Sequence, residues 1–546
     1  MKEGKGYLKV YTRMPDKGSY PAGLAYSIHM AGSRDGKSFH PFNKNYGILF
    51  AKAQIRKDDT LFPKGVKDPQ IFAFKDGGYG ISAVRVNESG EPDESAQGKF
   101  LLWKTRDFIS FEDEELIDAK EAEQLLFVNA SDCLEIEESI LTKAEEYWSP
   151  VFNTEIIVPE CVTVHSAGEL DDIKARAVYS DGSSVLKKVA WEREKIDFSV
   201  PGVYEISGKV EDKSYPFPLA KGYGDPVFFR WEGKWYYIST NDNVDDIGLY
   251  VREANTVRDL FKEGVTEHLI LEKDESRELV QTFWAPEFHV IGGELYLLFA
   301  VSGRMWGPQC HFMKLKKGQP IIRPESWEDP VRVRRTDGSW LSEDGITLDM
   351  TYLKTARGSY FIWSYRRNIG TPEDTGSMLY IAAADEKEPW KLASEPVLLS
   401  RPLFGWENVA GTINNEGPYT FVKDGKVYLT YSGGSANSYT YTVGLLTAKE
   451  TDDLLDISVW SKRCAPVLSF YSVEGEYGPG HNSFFEDEDG DLMIAYHGET
   501  GLDQNLRCDG IRRIHFRKNG FPEFGMSAGQ DLDRKLADVK MKVAVE

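Results

Sequence analysis

One unit recurs down the second half of the chain and limits its fold more than any other feature. It is an acidic residue at the head of a β-run, then a turn rich in Gly or Lys, then an aromatic second run. It reads GDPVFFRWEGKWYY from Gly224, WAPEFHVIGGELYLLF from Trp284, ITLDMTYLKTARGSYFIWS from Ile346 and NEGPYTFVKDGKVYLTYS from Asn415. A fifth copy, GPGHNSFFEDEDGDLMIAYH from Gly478, carries a histidine in place of the acid. Strand–turn–strand units repeating every roughly 50–70 residues predict an all-β fold, a five-bladed β-propeller with one blade per repeat. Inner strands starting at one axis would bring Asp225, Glu287, Asp349, Glu416 and His481 to one mouth.

A chain of 546 residues is too long for a single core. Three regions are expected. Residues 1–155, with LAYSIHMAGSRDGKSFHPF, KDPQIFAFKDGGYGISAVR and turns at Asp35-Gly36 and Asp76-Gly77-Gly78, supply only two blade-like units and form a β-rich accessory domain. Residues 156–217 alternate short strands around Asp181-Gly182 and Pro201-Gly202, as a small bacterial immunoglobulin-like module does. Residues 218–546 hold the propeller. Helical periodicity is scarce, and its best stretch is LEIEESILTKAEEYW, ending at Trp148.

The formal charge of −22 opposes phosphate backbones, and no basic cluster with interleaved aromatics offsets it. Nucleic acid is not expected as a partner. No stretch approaches 18 apolar residues, so no membrane span is expected either, and MKEGKGYLKVYTRM lacks a signal-peptide core. The five cysteines are scattered without CxxC spacing, which supports neither a disulfide framework nor a zinc site. These features predict a cytoplasmic protein.

Each acid has a plain structural alternative. Asp225 precedes Pro226 and would serve as an ordinary turn residue. Asp349 lies inside the strand-like ITLDMTY, where a carboxylate is costly unless paired or used. Glu416 precedes Gly417-Pro418 at a strand entry. Their common placement in successive repeats favours chemistry, and the chemistry that needs such acids is glycoside hydrolysis. One carboxylic acid protonates the leaving oxygen while an opposing carboxylate deprotonates the attacking water. Trp284 would floor a sugar pocket or fill the core. Glu287 reads as structural or secondary. Alternation sends Arg512 and Arg513 to opposite faces, and Arg512 is the one expected to reach the pocket. EDEDGDLM, from Glu486, lacks the ligand spacing of a calcium loop and reads as an acidic hairpin.

Residues 218 to about 525 resemble family 43 of the glycoside hydrolases, on GDPVFF, WAPE, ITLDMTY, NEGPYTF and GPGHNSF in that order. The resemblance implies an inverting five-bladed enzyme acting on arabinose- or xylose-containing glycans. By it, Asp225 matches the general base, Asp349 the residue that modulates the acid's pKa, and Glu416 the general acid. His481 matches a histidine near the axis that holds a metal through water, so a structural calcium there is implied while no cofactor is required. Leu348-Asp349-Met350 departs from the commoner Ile-Asp-Pro form. The expected activity is an exo-acting α-L-arabinofuranosidase, with β-xylosidase or a non-hydrolytic glycan-binding propeller as alternatives. Asp68, in GVKDPQIF, repeats the base motif without a partner acid and is expected to be a structural turn.

Overall fold

The computed structural model of the chain describes residues 4–75, 77–118, 120, 127–502 and 504–546. Asp76, in the expected turn near residue 77, lies outside them. Two compact units are present: residues 1–149 with 217–510, and residues 150–216 with 511–546.

In the first unit every repeat opens on a β-bulge, where two residues of the first strand face one of the second. The doubled residues are Asp225-Pro226, Ala285-Pro286, Asp349-Met350, Gly417-Pro418 and His481-Asn482. The first of each pair is left-handed, with φ of 59°, 46°, 55°, 54° and 41° in chain order. Such a bulge bends the strand and re-aims the side chain it carries. Glu287 lies two residues past its bulge and Glu416 one before, so the acids are not equivalent positions of a repeat.

Five four-stranded antiparallel sheets follow from these repeats. They begin with Tyr223–Trp231, Gln281–Ile291, Gly345–Lys354, Glu416–Lys423 and Tyr477–Glu486. Each of these innermost strands touches the next, and the last touches the first. Ala220–Lys221 pairs with Cys508–Arg513, so the start of the ring supplies the outer strand of its fifth sheet. Neighbouring sheets pack face to face through apolar side chains. Ile238 and Val251 meet Leu297 and Phe299, Phe312 meets Phe361, Phe421 meets Phe484, and Phe485 meets Phe228. Trp363 is only 2% exposed in this packing, and its truncation to Ala would cost about 3–5 kcal/mol.

Residues 4–149 form a four-stranded and a five-stranded sheet with the helix Glu138–Trp148. They have a core of their own, including Leu8, Ile71, Ile81 and Leu141. Tyr20, Leu24, Tyr46 and Phe50 instead enter the core shared by the third and fourth sheets of the ring.

The second unit is a sandwich of a three-stranded sheet and a four-stranded sheet. Its boundaries differ from those expected. Asp538–Val545, assigned from the sequence to the propeller, is here a central strand, parallel to Cys161–Val164 and antiparallel to Gly202–Val210. Its alternation buries Val539, Met541, Val543 and Val545 against Trp191 and Ile206. The immunoglobulin-like module is therefore discontinuous in sequence.

Candidate active site

A cavity of about 600 Å³ opens at the heads of the innermost strands, and Asp225, Asp349, Glu416, His481 and Trp284 all line it. The bulges put them there. Their free amides are tied across the ring by side chains from neighbouring sheets. The Ala285 N–H donates to Thr240 Oγ1 (2.9 Å), His481 N–H to Ser432 Oγ (2.7 Å), Asp225 N–H to His497 Nδ1 (3.1 Å) and Gly417 N–H to Asp349 Oδ2 (3.0 Å). The Ala436 carbonyl can only accept, so His497 carries its proton on Nε2, 3.3 Å away, and leaves Nδ1 free to accept.

The three acids sit in opposed electrostatic settings. Burial pushes the Asp225 carboxyl up, but the charges of His481 and Arg507 outweigh it and hold the group well below the usual carboxylate range. His481 Nδ1 lies 3.1 Å and Arg507 Nη1 3.3 Å from Asp225 Oδ1, and the Thr240 hydroxyl donates to Oδ2. Glu416 is pushed up by burial. His481, a 2.8 Å hydrogen bond from the Tyr441 hydroxyl and the Asn414 amide reduce that shift without reversing it. Asp349, 2% exposed, is raised well above its ordinary value by burial and by repulsion from Glu416 and Asp225. One carboxyl is shifted toward its ionised form and two toward their protonated forms around one space, the pattern that separates a base from an acid.

Other expectations are met differently. Trp284 lines the cavity, and its Nε1–H donates to Asp246 Oδ2 (2.9 Å). Glu287 is buried against His289, at 2.6 Å, and is not a lining residue. Arg512 is buried but does not reach the cavity; Arg507 does. The third strand of a sheet starts at the mouth and runs away from it. Five residues at about 3.3 Å each carry Arg512 roughly 16 Å from that end. Face alternation picked a side of the strand and could not give distance along it.

Asp242, Asp245 and Asp246 also line the cavity, and Arg507 pairs with Asp242 as well as Asp225. The acidic run NDNVDD was their only sequence signal. Asp68 keeps the bulge, with φ of 50°, but is exposed in the five-stranded sheet near the N-terminus. EDEDGDLM forms the hairpin between Tyr477–Glu486 and Leu492–Glu499.

The sequence profile of glycosyl hydrolases family 43 matches residues 216–522, more than half of the chain. The chain belongs to that family. Residues 174–213 match the bacterial Ig-like domain (group 4). An extracellular exo-α-(1→5)-L-arabinofuranosidase of Streptomyces avermitilis is 31% identical over 57% of this chain and 63% of its own length. A Streptomyces chartreusis enzyme of the same name is 29% identical over 62% of this chain and 95% of its own. The α-L-arabinofuranosidase of Lactobacillus brevis, a solved structure, is 28% identical with a TM-score of 0.50, covering 58% of this family 43 chain and 97% of that one. The extracellular character of both Streptomyces enzymes overturns the cytoplasmic location expected from the sequence. Acidic composition and scattered cysteines suit either side of a membrane, so they carried no weight on the question. Among the described residues no helix is long and apolar enough to cross a membrane.

Proposed function

We propose that this family 43 glycoside hydrolase is an inverting, exo-acting α-L-arabinofuranosidase that releases arabinose from arabinose-containing glycans outside the cell. The five sheets are read as the blades of a five-bladed propeller, with residues 4–149 accessory to it. The observation that carries the reading is the placement of Asp225 and Glu416 on one cavity with their pKa values shifted in opposite directions. The names of the two Streptomyces relatives supply the sugar and the location.

In the reaction, protonated Glu416 gives its proton to the glycosidic oxygen as the bond from that oxygen to the anomeric carbon breaks. Ionised Asp225 takes a proton from water, whose oxygen bonds to the anomeric carbon from the opposite face and inverts it. Burial and the charges of Glu416 and Asp225 favour the neutral form of Asp349, which tunes the acid's surroundings by accepting the Gly417 N–H next to it. Trp284 offers an aromatic face to the sugar. A glycan-binding protein without hydrolysis would need no such pair of opposed acids.

Calcium prefers six to eight oxygen ligands. Among the described residues no group of three or more His, Cys, Asp or Glu is placed to hold a metal, and His481 Nδ1 is engaged by Asp225. The side chains present do not fit a protein-built calcium centre, and no step is assigned to one. An ion held through water, with His481 as its anchor, is the form the family resemblance supports, and calcium-dependent melting tests it.

The test of function is a panel of aryl α-L-arabinofuranosides, aryl β-D-xylosides and arabino-oligosaccharides, with the product anomer read by NMR. Release of β-arabinose from the arabinofuranosides is expected. Preference for xylosides, or retention of configuration, would refute the assignment.

A further inference from the structure

Directly behind Glu416 lies an ion pair to which the reaction as described gives no role. Glu407 is fully buried. Its Oε1 accepts from Lys462 Nζ (2.6 Å), from the Asn415 side-chain amide (2.8 Å) and from the Tyr431 hydroxyl (2.8 Å), while Oε2 accepts from the Phe404 N–H (2.7 Å). Its own carbonyl accepts from the Asn414 N–H at 3.1 Å. Lys462 also reaches Asn415 Oδ1 (3.2 Å) and the Arg401 carbonyl (2.7 Å). Asn415, fully buried, takes a further bond from the Ser400 hydroxyl (2.8 Å). Both residues that precede Glu416 are thus fixed by Glu407, one through its backbone and one through its side chain.

The loop that carries Glu407 is clamped in turn by the N-terminal region. The Ala53 N–H donates to the Leu403 carbonyl at 2.7 Å. Gly23 and Gly405 meet backbone to backbone so closely that a Cβ on Gly405 would lie 2.2 Å from the Gly23 carbonyl oxygen. Tyr20, Leu24, Tyr46 and Phe50 pack in one cluster with Phe404 and Trp406. Phe50 N–H also approaches Cys464 Sγ at 3.0 Å, two residues from Lys462.

We propose that the Glu407–Lys462 pair is a positioning device for the general acid, and that residues 20–53 act on catalysis by holding its loop in place. This rests on the assignment of Glu416 as the acid. A buried ion pair is weak evidence for stability, because hydrophobic replacements are often tolerated, and fixing one geometry is its better attested use. The acid gains from being held in place, since about 1 Å of misplacement can cost about 100-fold in rate.

Leaving groups separate this role from a merely structural one. A sugar alkoxide must be protonated as it departs, whereas 4-nitrophenolate departs with little help from an acid. Lys462→Met alone strands a buried carboxylate and risks misfolding, so the main variant is Glu407→Gln/Lys462→Met, which removes both charges from the full chain. Its kcat on an arabino-oligosaccharide should fall by about 100-fold with KM within about threefold, and its kcat on 4-nitrophenyl α-L-arabinofuranoside by less than about fivefold. Gly405→Ala, which pushes the N-terminal segment off the loop, should show the same asymmetry at smaller size. A folded double variant that keeps wild-type kcat on both substrates overturns the inference and leaves the function standing. Equal losses on both substrates also overturn it, since they mark general damage, and so does a double variant that cannot fold. A wild-type chain inert toward both substrates overturns the function and this inference together.

Discussion

Asp225 and Asp68 are the same motif in two places. Both precede proline, both take a left-handed conformation at the first position of a β-bulge, and both open the first strand of a hairpin. Asp225 is 6% exposed and pressed by His481, His497 and Arg507, whereas Asp68 stands in solvent. The local sequence therefore specifies the backbone device, and the ring of neighbouring sheets specifies whether that device does chemistry. A bulge aims a side chain; the other sheets give it something to aim at.

The comparison breaks most directly at Asp225. Asp225→Ala should lower kcat/KM by between about 10²- and 10⁴-fold while the fold survives, and near wild-type turnover would dissolve the distinction. Arg507→Met sharpens it by removing one neighbour, with its largest cost on the acid side of the pH profile. Without the guanidinium the depressed Asp225 value rises, so the base takes up its proton at higher pH and the acid limb of kcat/KM moves upward. The sign for stability agrees. A depressed carboxylate contributes stability above the unfolded value and loses it as pH falls through the folded one, so the variant should also lose stability in that window.

Gly417→Ala tests the bulge itself. A Cβ there meets the His481 ring at 2.8 Å at a φ of 54°. Backbone strain alone is worth about 1–2 kcal/mol, which a lowered melting temperature would report. Asp349→Asn replaces one neutral group by another, so it should leave most of kcat and keep the alkaline limb set by Glu416 in place; a limb that moves to lower pH would mean that Asp349 is charged when Glu416 titrates. Asp68→Ala is expected to change neither turnover nor stability beyond about 0.5 kcal/mol. An effect on catalysis would mean that the exposed copy has a role of its own.

Much of this was legible in the sequence, where turn chemistry is local. Asp-Pro, Ala-Pro and Gly-Pro pairs followed by Gly turns mark the hairpins because the residues that bend the chain lie within a few positions of the bend. What stayed hidden was long-range. Arg507 depends on the direction in which a third strand runs. The inequivalence of Glu287 and Glu416 depends on which residue is doubled at the bulge, which only pairing register reveals. Asp538–Val545 reads as a strand by its alternation, but nothing in its residues names partners at Cys161–Val164 and Gly202–Val210. The Glu407–Lys462 pair joins the connection between the third and fourth sheets to the outermost strand of the fourth, and neither residue stands in a recognisable motif.

The return of that last strand bears on how the molecule is made. A ribosome releases residues 150–216 long before 538–545 emerge, so Gly202–Val210 must wait with an unpaired edge while all of 217–510 is synthesised. Domains tend to fold in order of emergence, and unpaired strand edges invite aggregation. In this chain the hydrolase unit can close while both of its ends are still tethered to an unfinished neighbour, and the final eight-residue strand completes the earlier module. A nascent chain stalled short of Asp538 would therefore hold every residue of the candidate site while the sheet of Gly202–Val210 still presents an open, adhesive edge.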